Sequence, residues 1–171
     1  MRHHDHIIVL ASFLAITAFS KDSSTGFSLA PRAAAAQGAI TSPKSVEWSP
    51  APPVFQPGAQ FAVVQGDPSK AGEEFTVRLR FPNGYKVKPH THPTTEHVTV
   101  LSGRFLVGMG STFDRSKMVA LEPGGFVSAP AEHAHYAAAH GETVVQIHAI
   151  GPFALTYANP SDAPVALKSQ R

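Results

Sequence analysis

His90 and His92 stand two residues apart, Glu96 follows four residues later, and His135 lies downstream behind Pro130. Imidazole nitrogens with a carboxylate oxygen suit a mid-to-late first-row divalent metal: Mn, Fe, Co, Ni, Cu or Zn. Alternate side chains of an extended chain share a face, so His90 and His92 can both point inward. Glu96 keeps the same parity, although Pro93 can bend the chain before it, while His97 has the opposite parity and faces out. A lone H-x-H is weak evidence, because surface and core histidines are common. The pattern Gly124-x5-Pro130-x-Glu132-x2-His135 adds a second element, with His135 heading a strand from which it can complete a site across a barrel.

The elements that must position these residues read as strands. After Gly58 no window of a dozen residues carries a 3.6-residue apolar period; short β-branched or aromatic stretches are punctuated by Gly, Pro and Asp. Strands are expected at 61–65, 74–81, 118–122, 126–129 and 154–158. Within 74–81, Phe75, Val77, Leu79 and Phe81 share one face and Thr76, Arg78 and Arg80 the other. Two hairpins are expected, one pairing 97–101 with 104–109 around Ser102-Gly103, the other pairing 135–139 with 143–150 around His140-Gly141. Many short strands with no helix between them mean an all-β, antiparallel sandwich or barrel. Within the tail 161–171, residues 163–171 offer one short helix.

The two motifs resemble those of the cupin superfamily of small β-barrel proteins. The first, G-x5-H-x-H-x3-E-x6-G, is met at Gly84, His90, His92, Glu96 and Gly103. The second, G-x5-P-x-G-x2-H-x3-N, is met at Gly124, Pro130 and His135, and departs at Glu132 and Ala139. Neither departure removes a ligand, and Glu132 implies a different turn geometry near the site mouth. The resemblance implies a jelly-roll barrel over 59–160 and a divalent transition metal (Fe, Mn, Ni, Zn or Cu). It also implies His90, His92, Glu96 and His135 as the ligands. Glu96 would double as the catalytic group, taking a substrate proton when it dissociates. The family spans dioxygenases, oxalate-type decarboxylases and oxidases, sugar isomerases, storage proteins and ligand-binding regulators, so fold alone does not choose among them. Two readings stand: an oxygenase-like oxidoreductase acting on a small oxygen-bearing organic molecule, and a metal-dependent binding or sensing module without turnover. A structural role without metal is a third. A homodimer through an outer sheet face also rests on the resemblance.

Several neighbours of the motifs have two readings. His133 is either an acid/base or substitute ligand beside His135 or a histidine at the barrel rim. Gln146 and His148 share a strand face, and are pocket groups if it points inward and ordinary polar residues if it points outward. Arg78 and Arg80 form either a carboxylate clamp or, preferably, a solvated outer face. Tyr85, Phe105, Met109, Phe126, Phe153 and Tyr157 line an aromatic pocket or, for most of them, pack the core.

Composition narrows the classes. The chain has 171 residues, no cysteine and ten histidines, which excludes disulfides, thiolate catalysis, Cys-ligated zinc and iron–sulfur clusters. Fourteen Lys and Arg against twelve Asp and Glu, without a basic run, argue against a nucleic-acid partner; a small-molecule ligand or substrate is what the resemblance implies. The 13-residue apolar run Ile7–Phe19 is shorter than the roughly 20 residues of a stable membrane anchor but has the length of a signal-peptide core. Residues 1–36 are therefore expected to be a signal peptide and leader, cleaved after Ser20 or Ala36, with export to the periplasm or beyond. His3, His4 and His6 would leave with it. Residues 37–58 read as a Pro-rich arm in which Trp48 packs the arm onto the domain.

Overall fold

The computed structural model describes residues 40–164. The expected signal peptide and leader, the first residues of the arm and the end of the tail lie outside the described residues. Nine strands follow in chain order: β1 (Ser49–Pro50), β2 (Gln60–Gln65), β3 (Glu74–Phe81), β4 (Lys86–Thr91), β5 (Glu96–Met109), β6 (Val119–Leu121), β7 (Phe126–Ala129), β8 (His135–Ile150) and β9 (Thr156–Tyr157). Among the described residues only three short 3-10 turns accompany them, the last at Pro160–Asp162; the helix expected over 163–171 falls, from residue 165 on, outside the described residues. The fold is the expected all-β, antiparallel jelly roll.

The two long strands organise it. Along one edge, β8 pairs with β5. Its other edge is shared, with His135–Ala138 against β4 and Thr143–Ile150 against β3. The first half of β5 pairs with β7 and the second with β6. Both strands thus run from one layer into the other, turning the corner where their register slips, at Val100–Arg104 and His140–Val144. A strand that switches layers at a bulge closes a sandwich without leaving a free edge there.

This corrects the two expected hairpins. Ser102-Gly103 and His140-Gly141 lie inside continuous strands of 14 and 16 residues. Gly103 and Gly141 have φ of +76° and +77°, but they serve bulges rather than turns. The inward set on β5 changes from Glu96, Val98 and Val100 to Phe105 and Val107, because the bulge inserts an odd residue.

The core lies between the layers. Phe75, Val77, Leu79 and Phe81 of β3 are all buried, as their alternation requires, against Val98, Val100, Phe105, Val145 and Ile147. Burying each such side chain contributes about 1.5–3 kcal/mol. The arm joins this core. Ser49–Pro50 pairs with β2, the Arg80 guanidinium lies 4.1 Å over the Trp48 ring, and Phe55 is buried. Two tyrosine hydroxyls grip the arm beside Phe55: Tyr157 donates to the Val54 carbonyl at 2.8 Å and Tyr85 to the Gln56 carbonyl at 2.6 Å.

Burial pushes the Tyr85 phenol well above its ordinary range and Tyr157 up to about 12. A phenol whose folded pKa is raised contributes stability fully below its unfolded value, about 10. That contribution is lost as pH climbs through the folded value. Urea midpoints measured from pH 8 to 12 should therefore fall above about pH 10. The double variant Tyr85→Phe/Tyr157→Phe should lose about 1 kcal/mol per hydroxyl at neutral pH and show a flatter alkaline limb. Equal limbs in both proteins would remove these phenols as the cause.

Candidate metal centre

The register sets the site. His90 of β4 is paired with His135 of β8, so the two rings stand side by side with centroids 4.3 Å apart. His92 sits just beyond the end of β4, its ring 4.9 Å from His90 and 5.3 Å from His135. Glu96 opens β5; Pro93 does break the strand between them, and the chain turns before Glu96 comes back inward. All four are buried, with 4–6% of their surface exposed. One ligand atom from each imidazole lies within 4.8 Å of the others. Glu96 places Oε2 3.3 Å from His135 Nε2 and Oε1 3.7 Å from His92 Nε2.

Backbone carbonyls orient the rings. His90 Nδ1 meets the Lys88 carbonyl at 2.7 Å, His92 Nδ1 that of Ala154 at 2.6 Å, and His135 Nδ1 that of His133 at 3.1 Å. A carbonyl oxygen only accepts, so each Nδ1 must carry the proton and donate. Each neutral ring then turns an Nε2 lone pair to the centre, the arrangement that prepares an imidazole for metal. His92 Nε2 and His135 Nε2 are buried without a hydrogen-bond partner. Buried polar atoms rarely stay unpaired. Three convergent lone pairs and a carboxylate fit a divalent transition ion, whose binding would satisfy these atoms.

Electrostatics agree. Burial, with the neighbouring imidazoles adding to it, pushes His90 down to about 3, and burial also lowers His92 against the pull of Glu96. Burial would raise Glu96, but the surrounding histidines outweigh it and hold the carboxyl below its usual range. At His135 burial is likewise outweighed, here by Glu96, and the pKa rises. Without an ion, Glu96 is thus drawn toward its ionised form and His135 toward its protonated form, beside two rings that burial holds toward the neutral form.

Other expected neighbours take different places. His133 is exposed, and it reaches the site only through its carbonyl. Gln146 accepts from Arg78 Nε at 3.1 Å, and His148 Nδ1 lies 3.1 Å from Thr76 Oγ1. Their face is the outer one: its neighbours Val145 and Ile147 line the chamber instead, so neither side chain is a pocket group. Arg78 and Arg80 share that outer face. Of the residues weighed for an aromatic pocket, Phe105 and Phe153 line the chamber, while Met109 and Phe126 are exposed. Phe153 stacks on His92 at 14° with centroids 5.2 Å apart. Glu132 adopts φ +57° and donates its N–H to the His92 carbonyl at 2.8 Å. The turn thus holds a left-handed conformation that glycine favours, at a backbone cost of about 1–2 kcal/mol for a glutamate. Sequence reasoning missed Phe55, which lines the chamber from the arm and showed no local signal.

A family model described as the ChrR cupin-like domain matches residues 36–154. Comparison with curated protein sequences gives no match. Among solved structures, the chain is similar to the polyketide cyclase RemF from Streptomyces resistomycificus, with TM-score 0.61 and 13% identity over 78% of this chain and 94% of that one. It is similar also to a putative acetylacetone dioxygenase from Methylibium petroleiphilum, with TM-score 0.57 and 17% identity over 75% and 86% of the two chains. KdgF from Halomonas sp. gives TM-score 0.52 and 22% identity over 67% and 96%. At these identities the likeness is one of fold.

Proposed function

Because this chain belongs to the ChrR cupin-like domain family, we propose that it is an exported metal-binding cupin. In this reading it works as an oxygenase-like oxidoreductase on a small oxygen-bearing organic molecule. The observation that carries the reading is the set of three inward Nε2 atoms beside Glu96, two of them buried and unpaired. His90, His92, Glu96 and His135 would hold the ion, which supplies Lewis acidity and, as Fe or Mn, access to dioxygen.

The chain's own groups do the rest. The Lys88, Ala154 and His133 carbonyls keep the rings in one tautomer and orientation. Among the described residues Glu96 is the one carboxylate lining the chamber, so its oxygens are the place where a substrate proton would be accepted. Phe55, Phe153 and the aliphatic walls exclude water from the bound molecule. Export rests on the apolar run Ile7–Phe19, and a homodimer through the outer sheet face on family likeness.

A second reading, metal-dependent binding without turnover, is favoured by one feature: among the described residues, no acid or base side chain other than the four candidate ligands lines the chamber. Oxygen uptake by Fe- and Mn-loaded protein over a panel of small enols, catechols and hydroxy acids decides between them. Uptake stoichiometric with loss of one panel member, and absent in His135→Ala, supports the oxidoreductase. Tight binding of panel members with no uptake would sink it in favour of the binding module.

A further inference from the structure

The chamber beside the four candidate ligands is small and walled by apolar side chains. Its free volume is about 30 Å³, room for roughly two water molecules. Apart from His90, His92, Glu96 and His135, every side chain lining it is aliphatic or aromatic, including Leu79, Phe81, Val98, Phe105 and Ile147. Among the described residues, no lysine, arginine, hydroxyl or amide side chain lines it to meet a second polar group of a bound molecule.

Most of the wall belongs to barrel strands held by ladders of backbone hydrogen bonds. Of its apolar residues, Phe55, Phe153 and Leu155 do not. Phe55 is the one of these that comes from the Pro-rich arm; it is 6% exposed and seats its ring against Phe153 with centroids 6.5 Å apart. The carbonyls on either side of it, Val54 and Gln56, are held by the hydroxyls of Tyr157 and Tyr85, and the Gln56 side chain donates to the Asp162 carbonyl at 3.1 Å. The arm is thus pinned by side chains at three points around one inserted ring.

We propose that this chamber takes uncharged, largely apolar molecules that present a single oxygen-bearing end to the histidine cluster, and that Phe55 is the plug that sets their size. The proposal rests on the metal-centre reading for the oxygen-bearing end; the plug stands on the packing of the arm. A second charge inside these walls would be desolvated without a partner. Each unpaired hydroxyl would cost about tenfold or more in affinity. Sugars and dicarboxylates are therefore excluded. A molecule larger than a few heavy atoms must displace a wall, and Phe55 is the wall residue on a segment tied down by side chains.

The test uses hydroxamates as probes, because they chelate through two oxygens and are uncharged at neutral pH. Zinc-loaded protein is titrated calorimetrically with acetohydroxamate, benzohydroxamate, butyrohydroxamate and succinomonohydroxamate, each normalised to its affinity for free zinc. Succinomonohydroxamate should bind at least about tenfold more weakly than butyrohydroxamate, which has a similar length without the distal charge. The ratio of benzohydroxamate to acetohydroxamate affinity should rise by about tenfold or more in Phe55→Ala. Phe55→Leu, a milder change that keeps the core filled, should fall between the two. Equal binding of the charged and uncharged probes would overturn the apolar chamber, and a ratio unmoved in both variants would overturn the plug.

A parallel arm needs no metal. Saturating toluene should raise the melting temperature of metal-free Phe55→Ala by about 2 °C or more and leave the wild type unmoved. Hydroxamates that bind no variant, together with this toluene shift, would fail the metal centre and uphold the plug. Equal toluene shifts in all three proteins would overturn it.

Discussion

His135→Ala and His90→Ala are expected to weaken transition-metal binding alike, by on the order of 100-fold or more, and yet to differ sharply in metal-free stability. Removing a hydrogen-bond partner behind a ligand already costs about 10–100-fold in affinity, so removing a ligand costs at least that. The stability difference comes from Glu96. In the metal-free protein this buried carboxylate is ionised and His135 Nε2 stands 3.3 Å from it. Deleting His135 strands a buried charge, which costs about 3–5 kcal/mol. His90, which burial keeps neutral with a pKa near 3, leaves no charge behind when deleted. Both rings are buried to the same 4%, so the void each leaves enters both variants similarly and cancels in the comparison. Urea unfolding of the metal-free variants should therefore find His135→Ala the less stable by roughly 3 kcal/mol, while calorimetry finds similar losses of metal. Equal stabilities would mean that Glu96 is not ionised in the metal-free cluster.

Gly103→Ala is expected to destabilise the protein by roughly 3 kcal/mol or more, against about 1–2 kcal/mol for Gly124→Ala. Both glycines have positive φ, +76° and +87°, so both substitutions meet the left-handed penalty of an L side chain. They differ in space. A Cβ on Gly103 would run into the Glu142 carbonyl and stand 2.7 Å from Thr143 Cα, both backbone of β8. At Gly124 nothing lies within 4 Å. Gly103 is the point where β5 and β8 cross from one layer to the other, so backbone cannot yield there without opening the corner. Thermal and urea unfolding of the two variants measure the gap, and similar losses would show that the corner has slack.

Gly103 also shows what local pattern can and cannot convey. A glycine between two apolar stretches marks a positive φ, and bulge and hairpin turn both use one. Only the partner strand distinguishes them: Ser102 and Arg104 still pair with β8, so the strand continues. The alternation over 74–81 was legible because one face of β3 is core and the other is not. The short strand at 126–129 was legible for its flanking Pro and Gly. The four residues at the centre were legible from type and spacing, and the structure brings all four together. The groups that aim the rings were not, since the Lys88, Ala154 and His133 carbonyls carry no residue-type signature. His133 and His135 share a parity, which left a second side chain at the site open beside the preferred reading of a rim histidine; His133 is exposed and contributes only its backbone carbonyl. Gln146 and His148 were undecidable from periodicity because β8 is covered on both faces along part of its length, with Tyr136 and Ala138 buried as well as Ala137 and Ala139. Phe55 lay in a Pro-rich arm with no period, where nothing local reports that a ring reaches the barrel interior.

X-ray absorption spectroscopy of the transition-metal-loaded protein tests the centre most directly. The expected result is one ion per chain in a nitrogen and oxygen shell at about 2.0–2.2 Å. Its outer-shell scattering should be that of three imidazoles, falling to two in His90→Ala. An ion surrounded by oxygen alone, or a spectrum unchanged by His90→Ala, would contradict a centre built from His90, His92, Glu96 and His135.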